Sequence, residues 1–127
     1  MTINWEKYIN QRFCYPIEVT KVYDGDTITC NIDLGFKIKL YKQKIRLFGI
    51  NTPEVRGSER EEGLKSKQKL KDLIENKTVK LYSIKDKKGK YGRWLGIIYI
   101  DDLENSENSI NCNKTLLEGG YAKEALY

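Results

Sequence analysis

The chain has 127 residues, with 23 Lys and Arg, 18 Asp and Glu, no histidine, and a net charge of +5. At this length one domain with one core is expected, and 39% hydrophobic against 32% charged residues is ordinary for a soluble domain. The missing histidine excludes Ser-His and Cys-His catalytic pairs, Cys/His zinc fingers and imidazole bases. Acid–base work near neutral pH is left to carboxylates, Tyr, Lys or a metal-held water.

In chain order, Met1 to Tyr15 carries Glu6, Lys7 and Arg12 and no apolar run, so no secretory leader is expected there. Residues 1–16 read as an extension whose Trp5, Tyr8 and Phe13 pack over one end of the fold, and 17–127 read as the domain itself. Ile17 to Tyr23 is β-rich and ends at Asp24-Gly25-Asp26, a strong turn signal. Thr27 to Asp33 follows, with Ile28, Cys30 and Ile32 on one face. Phe36, Ile38 and Leu40 alternate with Lys37 and Lys39, which predicts an amphipathic strand. A further strand runs from Lys44 to Ile50 and stops at Asn51-Thr52-Pro53. Ser58-Glu59-Arg60-Glu61 has the form of a capping box, and Leu64, Leu70, Leu73 and Ile74 make a sparse helical stripe to about Glu75. Thr78 to Ile84 returns to strand. The basic loop Lys85 to Arg93 follows, then the apolar strand Trp94 to Ile100 and a polar loop from Asp101 to Ser109. Asn111 to Leu117 reads as a short helix stopped by Gly119-Gly120.

This order predicts a mainly β fold with helices: a five-stranded Greek-key barrel of the OB type, with a helix after the third strand and a short C-terminal helix. The longest apolar run, Ile97 to Ile100, is too short to cross a bilayer. Cys14, Cys30 and Cys112 form neither a CxxC pair nor a disulfide framework, so a reducing, cytoplasmic setting is expected. The loop Lys85 to Arg93 sets five cations against a single anion. It suits a phosphate-bearing partner, and it also suits a solvated hairpin tip.

Four stretches carry the chemistry: Tyr23-Asp24-Gly25-Asp26-Thr27, Arg46 to Glu54, Lys87 to Arg93, and Leu116 to Lys123. In this order and this strand–helix context they resemble the staphylococcal (micrococcal) nuclease family, the thermonuclease-like domains. The resemblance covers roughly Ile17 to Lys123. It implies a Ca²⁺-dependent nuclease, a hydrolase that cleaves phosphodiester bonds of DNA or RNA with little sequence preference and leaves 3′-phosphate ends. By motif position Asp26 is implied as a calcium ligand, with the Thr52 carbonyl another. Glu54 is implied as the general base or the group that positions water. Arg46 and Arg93 are implied as the phosphate-binding cations, and Lys90 and Tyr91 as substrate contacts.

The residue chemistry agrees with these roles. Asp26 is a hard oxygen donor suited to Ca²⁺. Arg46 and Arg93 can each offer paired N–H groups to phosphate oxygens, and Glu54 is the nearest carboxylate to the end of the Arg46 strand. Asn51 departs from the family pattern, which commonly has a second acidic ligand there. Its amide oxygen can still coordinate a cation without supplying charge, so Mn²⁺ or Mg²⁺ enters the reckoning beside Ca²⁺; it can also simply cap the turn before Thr52. The chain ends soon after Gly120-Tyr121-Ala122-Lys123, so the further helix of the type nuclease is expected to be missing. Asp24 is expected to make the turn while Asp26 faces the site. Arg56 and Arg60 are expected either to touch substrate or to pair with Glu59 and Glu61. Lys37, Lys39, Lys42 and Lys44 fit either a nucleic-acid track or protection of a sheet edge. A monomer with a DNA or RNA substrate and no membrane partner is the expected setting. A weakened nucleic-acid-binding or protein-interaction module is the alternative, and the neutral Asn51 is what motivates it.

Overall fold

The turn signal at Asp24-Gly25-Asp26 sits where β1 (Cys14–Asp24) reverses into β2 (Thr27–Gly35). The structure is a computed structural model that describes residues 2–9, 13–88, 93–101 and 109–125. Asp24 Oδ1 accepts the Asp26 N–H at 3.0 Å, a side-chain-closed turn of the kind Asp favours. β1 begins earlier than the alternation at Ile17 suggests, because Cys14 to Glu18 pairs antiparallel with β5 (Thr78–Lys88).

β2 pairs with β3 (Ile38–Leu47), which continues through what read as two separate strands. The register shifts between the pairs Cys30–Gln43 and Ile32–Leu40, where Lys42 has φ 55° and its N–H donates to Asn31 Oδ1 at 3.1 Å. A β-bulge therefore replaces the expected break. The expected amphipathic strand from Phe36 is corrected at its start. Phe36 and Lys37 form the hairpin turn at φ 55° and 63°, and the Phe36 ring is 97% exposed. A two-residue hairpin loop that matches strand twist requires positive φ at both positions. The arm then projects beyond the barrel, leaving Ile38 and Leu40 exposed.

β6 (Trp94–Ile100) pairs antiparallel with β5 and parallel with β3 through Ile45–Trp94, Arg46–Leu95 and Leu47–Gly96. The order β3-β2-β1-β5-β6 thus closes on itself into a five-stranded OB-type barrel, the α+β architecture expected. Short β7 (Ile110–Asn111) extends β6, and β4 (Ile50–Asn51) pairs with β8 (Lys123–Glu124). The interior is filled by Ile17, Val19, Ile28, Cys30, Ile45 and Leu81 with their neighbours. A second cluster of Phe48, Ile84 and Ile97 is covered by Trp5 and Tyr8 of α1 (Trp5–Ile9), with the Tyr8 and Phe48 rings 4.5 Å apart. Burial pushes the thiols of Cys30 and Cys112 up to about 12, so neither is a reactive thiolate. Among the described residues no helix is long and apolar enough to cross a membrane.

The main helix, α2 (Arg60–Ile74), follows a short 3₁₀ turn at Gly57–Glu59. The expected capping box is not formed: Glu59 occupies the cap position and makes no side-chain cap bond. Its carboxylate instead accepts the backbone N–H of Glu54 at 3.0 Å. The buried face is Gly63, Ser66, Leu70 and Ile74, whereas Leu64 is exposed. Small residues stand where the helix crosses closest. A Cβ on Gly63 would lie 2.0 Å from the Glu54 carbonyl oxygen, and one on Gly25 would lie 2.7 Å from Ser66 Cβ. Leu70 and Ile74, both fully buried, contribute roughly 1.5–3 kcal/mol each to holding the helix against the barrel. α3 (Cys112–Glu118) is capped by Asn111, whose Oδ1 accepts the Lys114 N–H at 3.0 Å.

Candidate active site

Closing the barrel brings three separate stretches to one edge. Asp26, at the start of β2, is 5% exposed, and Arg46, near the end of β3, is 9% exposed. Arg46 Nη1 lies 3.3 Å from Asp26 Oδ2 and donates to the Leu47 carbonyl at 2.9 Å. Its Nη2 donates to Asn51 Oδ1 at 3.2 Å. The Thr52 N–H donates to Asp26 Oδ2 at 3.0 Å, and the Thr27 hydroxyl donates to Asp26 Oδ1 at 3.2 Å. Arg93 joins from the start of β6, its Nη1 donating to the same Thr27 hydroxyl at 3.1 Å.

Asp26, Arg46, Asn51, Thr52 and Arg93 therefore form one bonded cluster. Glu54 is placed two residues beyond Thr52 with its side chain exposed. Its backbone is held from two sides, by the Glu59 carboxylate and by the close crossing of Gly63. Lys90 and Tyr91 lie outside the described residues, as do 102–108 of the polar loop. Among the described residues Arg56 pairs with neither Glu59 nor Glu61; its Nη2 donates to the Tyr23 hydroxyl at 3.1 Å.

Asp24 stands behind the cluster. Its carboxyl is pushed up to about 7, first by burial and then by its hydrogen bond to Asp26 and the charge there.

The donors at this edge are all oxygens: the Asp26 carboxylate, the Asn51 amide and the Thr52 carbonyl. That set fits a hard divalent cation such as Ca²⁺. Among the described residues no group of three or more His, Cys, Asp and Glu side chains is arranged to hold a metal, so water would complete the shell. Asn51 Oδ1 is already engaged by Arg46, which makes it a neutral and shared donor.

Two features at the site go beyond the roles assigned by motif position. The Leu116 to Lys123 stretch turns Tyr121 back under α2, where Ser66 Oγ donates to the Tyr121 carbonyl at 2.7 Å. Lys123 then pairs with Asn51 between β8 and β4. The second feature is a groove of about 330 Å³ lined by Lys21, Tyr23, Thr27, Thr29, Lys44 and Arg93. Lys21 and Thr29 gave no motif signal. They meet only because the bulged β1–β2 register pairs them across the strands.

The chain has relatives. A family model described as staphylococcal nuclease homologue matches residues 44–127. An uncharacterized protein of Methanocaldococcus jannaschii is 33% identical over an alignment of 141 positions that takes in 94% of this chain and 64% of that protein. A Haemophilus influenzae protein named as an uncharacterized endonuclease is 38% identical over 81 residues, 64% of this chain and 40% of that protein. The chain thus spans less than two thirds of the length of either.

Proposed function

This chain belongs to the staphylococcal nuclease homologue family, and on that premise we propose that it is a nuclease hydrolysing DNA or RNA phosphodiesters with Ca²⁺ and little sequence preference. The observation that carries the reading is the buried Asp26–Arg46 pair at 3.3 Å, with Asn51, Thr52 and, through Thr27, Arg93 bonded around it. The endonuclease name of the Haemophilus influenzae relative supports the same class of activity.

A phosphodiester is anionic and resists attack, so cleavage needs cations on the phosphate, a positioned water and stabilisation of the charge that develops. Arg46 and Arg93 bind two phosphate oxygens and meet that charge as it grows, each with the planar fork that Lys lacks. Glu54 orients the water and takes its proton as the new P–O bond forms in line with the leaving 5′-oxygen. The P–O5′ bond breaks, the 5′-oxygen takes up a proton, and the product keeps a 3′-phosphate. Asp26, the Asn51 amide and the Thr52 carbonyl would hold the divalent cation, which supplies charge neutralisation at the phosphate when bound.

The test is cleavage of plasmid and of labelled oligonucleotides by the purified protein with Ca²⁺, Mn²⁺, Mg²⁺ or chelator, with the product ends mapped. Metal-dependent cleavage leaving 3′-phosphate ends, lost in Arg93→Ala, is the expected result. Cleavage that persists in chelator and in the variant would belong to a contaminant and remove the reading. One observation favours the second reading, a nucleic-acid-binding module without catalysis: the neutral Asn51, already bonded to Arg46. Salt-sensitive oligonucleotide binding with no cleavage under any of the three metals would favour it.

A further inference from the structure

The groove beside the cluster is cationic and has an aromatic wall, and among the described residues no acidic side chain lines it: Lys21, Lys44 and Arg93 stand there with Tyr23, Thr27 and Thr29. Its layout follows from the register. Thr27 pairs with Arg46 on β3, and two residues further along β2 on the same face Thr29 pairs with Lys44 on β3 and Lys21 on β1. The second rung therefore lies roughly 7 Å from the first along the strand. Across it the two lysines stand two strand spacings apart, roughly 10 Å.

Lysines on a sheet are often protection for an edge. β5 pairs with β1 only from Cys14 to Glu18 and β6 with β3 only from Ile45 to Leu47, so Lys21 and Lys44 lie just past those pairings; edge protection does not account for their standing in one rung across Thr29 beside Arg93 and Tyr23. Neither lysine makes an ion pair with a described residue, so both ammonium groups can meet an anionic ligand. Tyr23 is 48% exposed, yet its hydroxyl is fixed by Arg56 Nη2 at 3.1 Å. A ring that is both exposed and held is suited to stacking. The groove has the volume of a small-ligand site, enough for one base or phosphate.

We infer that this groove is the subsite for the substrate strand next to the cleaved bond, and that it takes a single strand: Lys21 and Lys44 hold the neighbouring phosphate and an unstacked base lies on Tyr23. The inference rests on the nuclease reading of the adjacent cluster. A base still stacked in a duplex cannot offer its face to Tyr23, so the groove selects single-stranded or frayed nucleic acid. DNA and RNA share the phosphate and base chemistry the groove reads.

The test is fluorescence-anisotropy titration of the full chain with labelled oligothymidylate and oligouridylate and with a duplex, in chelator so that no cleavage is needed, over a salt series. For single strands, Lys21→Ala and Lys44→Ala are each expected to reduce the slope of log affinity against log salt by about 0.7. Tyr23→Ala is expected to weaken single-strand binding about tenfold at unchanged slope, and Tyr23→Phe to keep most of it. All these positions are at the surface, and circular dichroism confirms folding of each variant. If the unaltered protein binds and cleaves but the variants bind as well as it does, the groove assignment is overturned and the nuclease reading stands. If Tyr23→Ala weakens duplex as much as single strand, selection of single strands is overturned. If the unaltered protein binds no nucleic acid even at low salt, the inference and the nuclease reading fail together.

Discussion

Two buried polar centres flank the end of β3, and they are built on opposite principles. Asn113 on α3 is fully buried. Its Nδ2 donates to the carbonyls of Phe48 at 2.8 Å and Gly96 at 3.1 Å, and its Oδ1 accepts the Ile98 N–H at 3.2 Å. It is neutral, and it ties α3 to β6 and to the chain leaving β3. The Asp26–Arg46 pair is ionic and opens toward a cationic groove through Thr27 and Arg93. A matched neutral amide is a stabilising closure. A buried ion pair roughly offsets its own desolvation cost, so stability alone gives little reason to keep one. The contrast separates a polar group that holds the barrel shut from an ion pair whose presence stability does not explain.

The strongest way to sharpen that contrast is chemical. Glu54→Gln is expected to lower the cleavage rate by about 10²–10⁴-fold with little change in Tm, because the Glu54 side chain is exposed; single-turnover kinetics beside calorimetry would read both. Asn113→Leu acts on the other centre. It removes three hydrogen bonds to backbone groups, of which the Gly96 carbonyl keeps the Phe48 N–H at 2.8 Å, and should cost roughly 2–3 kcal/mol, seen as a lower midpoint in urea. Gly63→Ala links the two effects. A Cβ 2.0 Å from the Glu54 carbonyl forces the helix or the Glu54 backbone to move, with a loss of about 1–3 kcal/mol and a fall in rate at unchanged substrate affinity. An alanine variant as stable and as active as the parent would show that Glu54 is not positioned by this crossing.

The fold was readable because its signals are local. Asp24-Gly25-Asp26 marks a turn, Ile28, Cys30 and Ile32 alternate, and Asn111 and Gly119-Gly120 bracket the short helix. What escaped depends on contacts distant in sequence. The spacing of large apolar residues puts Leu64 in the helix stripe; the crossing at Glu54 and Gly25 instead requires Gly63 and Ser66 there. Phe36 read as core because alternation does not report that a hairpin arm extends past the barrel. Glu59 serves the Glu54 amide rather than a capping box, since the 3₁₀ turn moves the helix cap from Ser58 to Glu59, by one residue. Asp26, Arg46, Asn51, Thr52 and Arg93 were legible as candidates from motif order alone. Their joining through Thr27, and the rung of Lys21, Thr29 and Lys44, required the register.

Two smaller effects probe the charge at the ionic centre. Asn51→Asp is expected to tighten Ca²⁺ binding by roughly tenfold, measured by titration calorimetry without substrate. Unchanged affinity would mean that this side chain does not reach the ion. Asp24 gives the smallest effect. Its carboxyl stands near 7 in the folded protein against an ordinary 3.8, so between those values the folded chain holds a proton that the unfolded chain has lost. Stability from this group therefore falls as pH rises from about 4 to 7. Asp24→Asn keeps the Oδ1 acceptor for the Asp26 N–H and should flatten that dependence, read as Tm against pH in chelator.

The most direct test of the account is the rate at which the purified chain cleaves a single-stranded oligonucleotide with Ca²⁺, beside Glu54→Gln at equal concentration. Metal-dependent cleavage that falls at least a hundredfold in the variant, while both proteins bind the strand equally, is the predicted result. Equal rates in the two proteins, or no cleavage by the parent under any divalent cation, would contradict it.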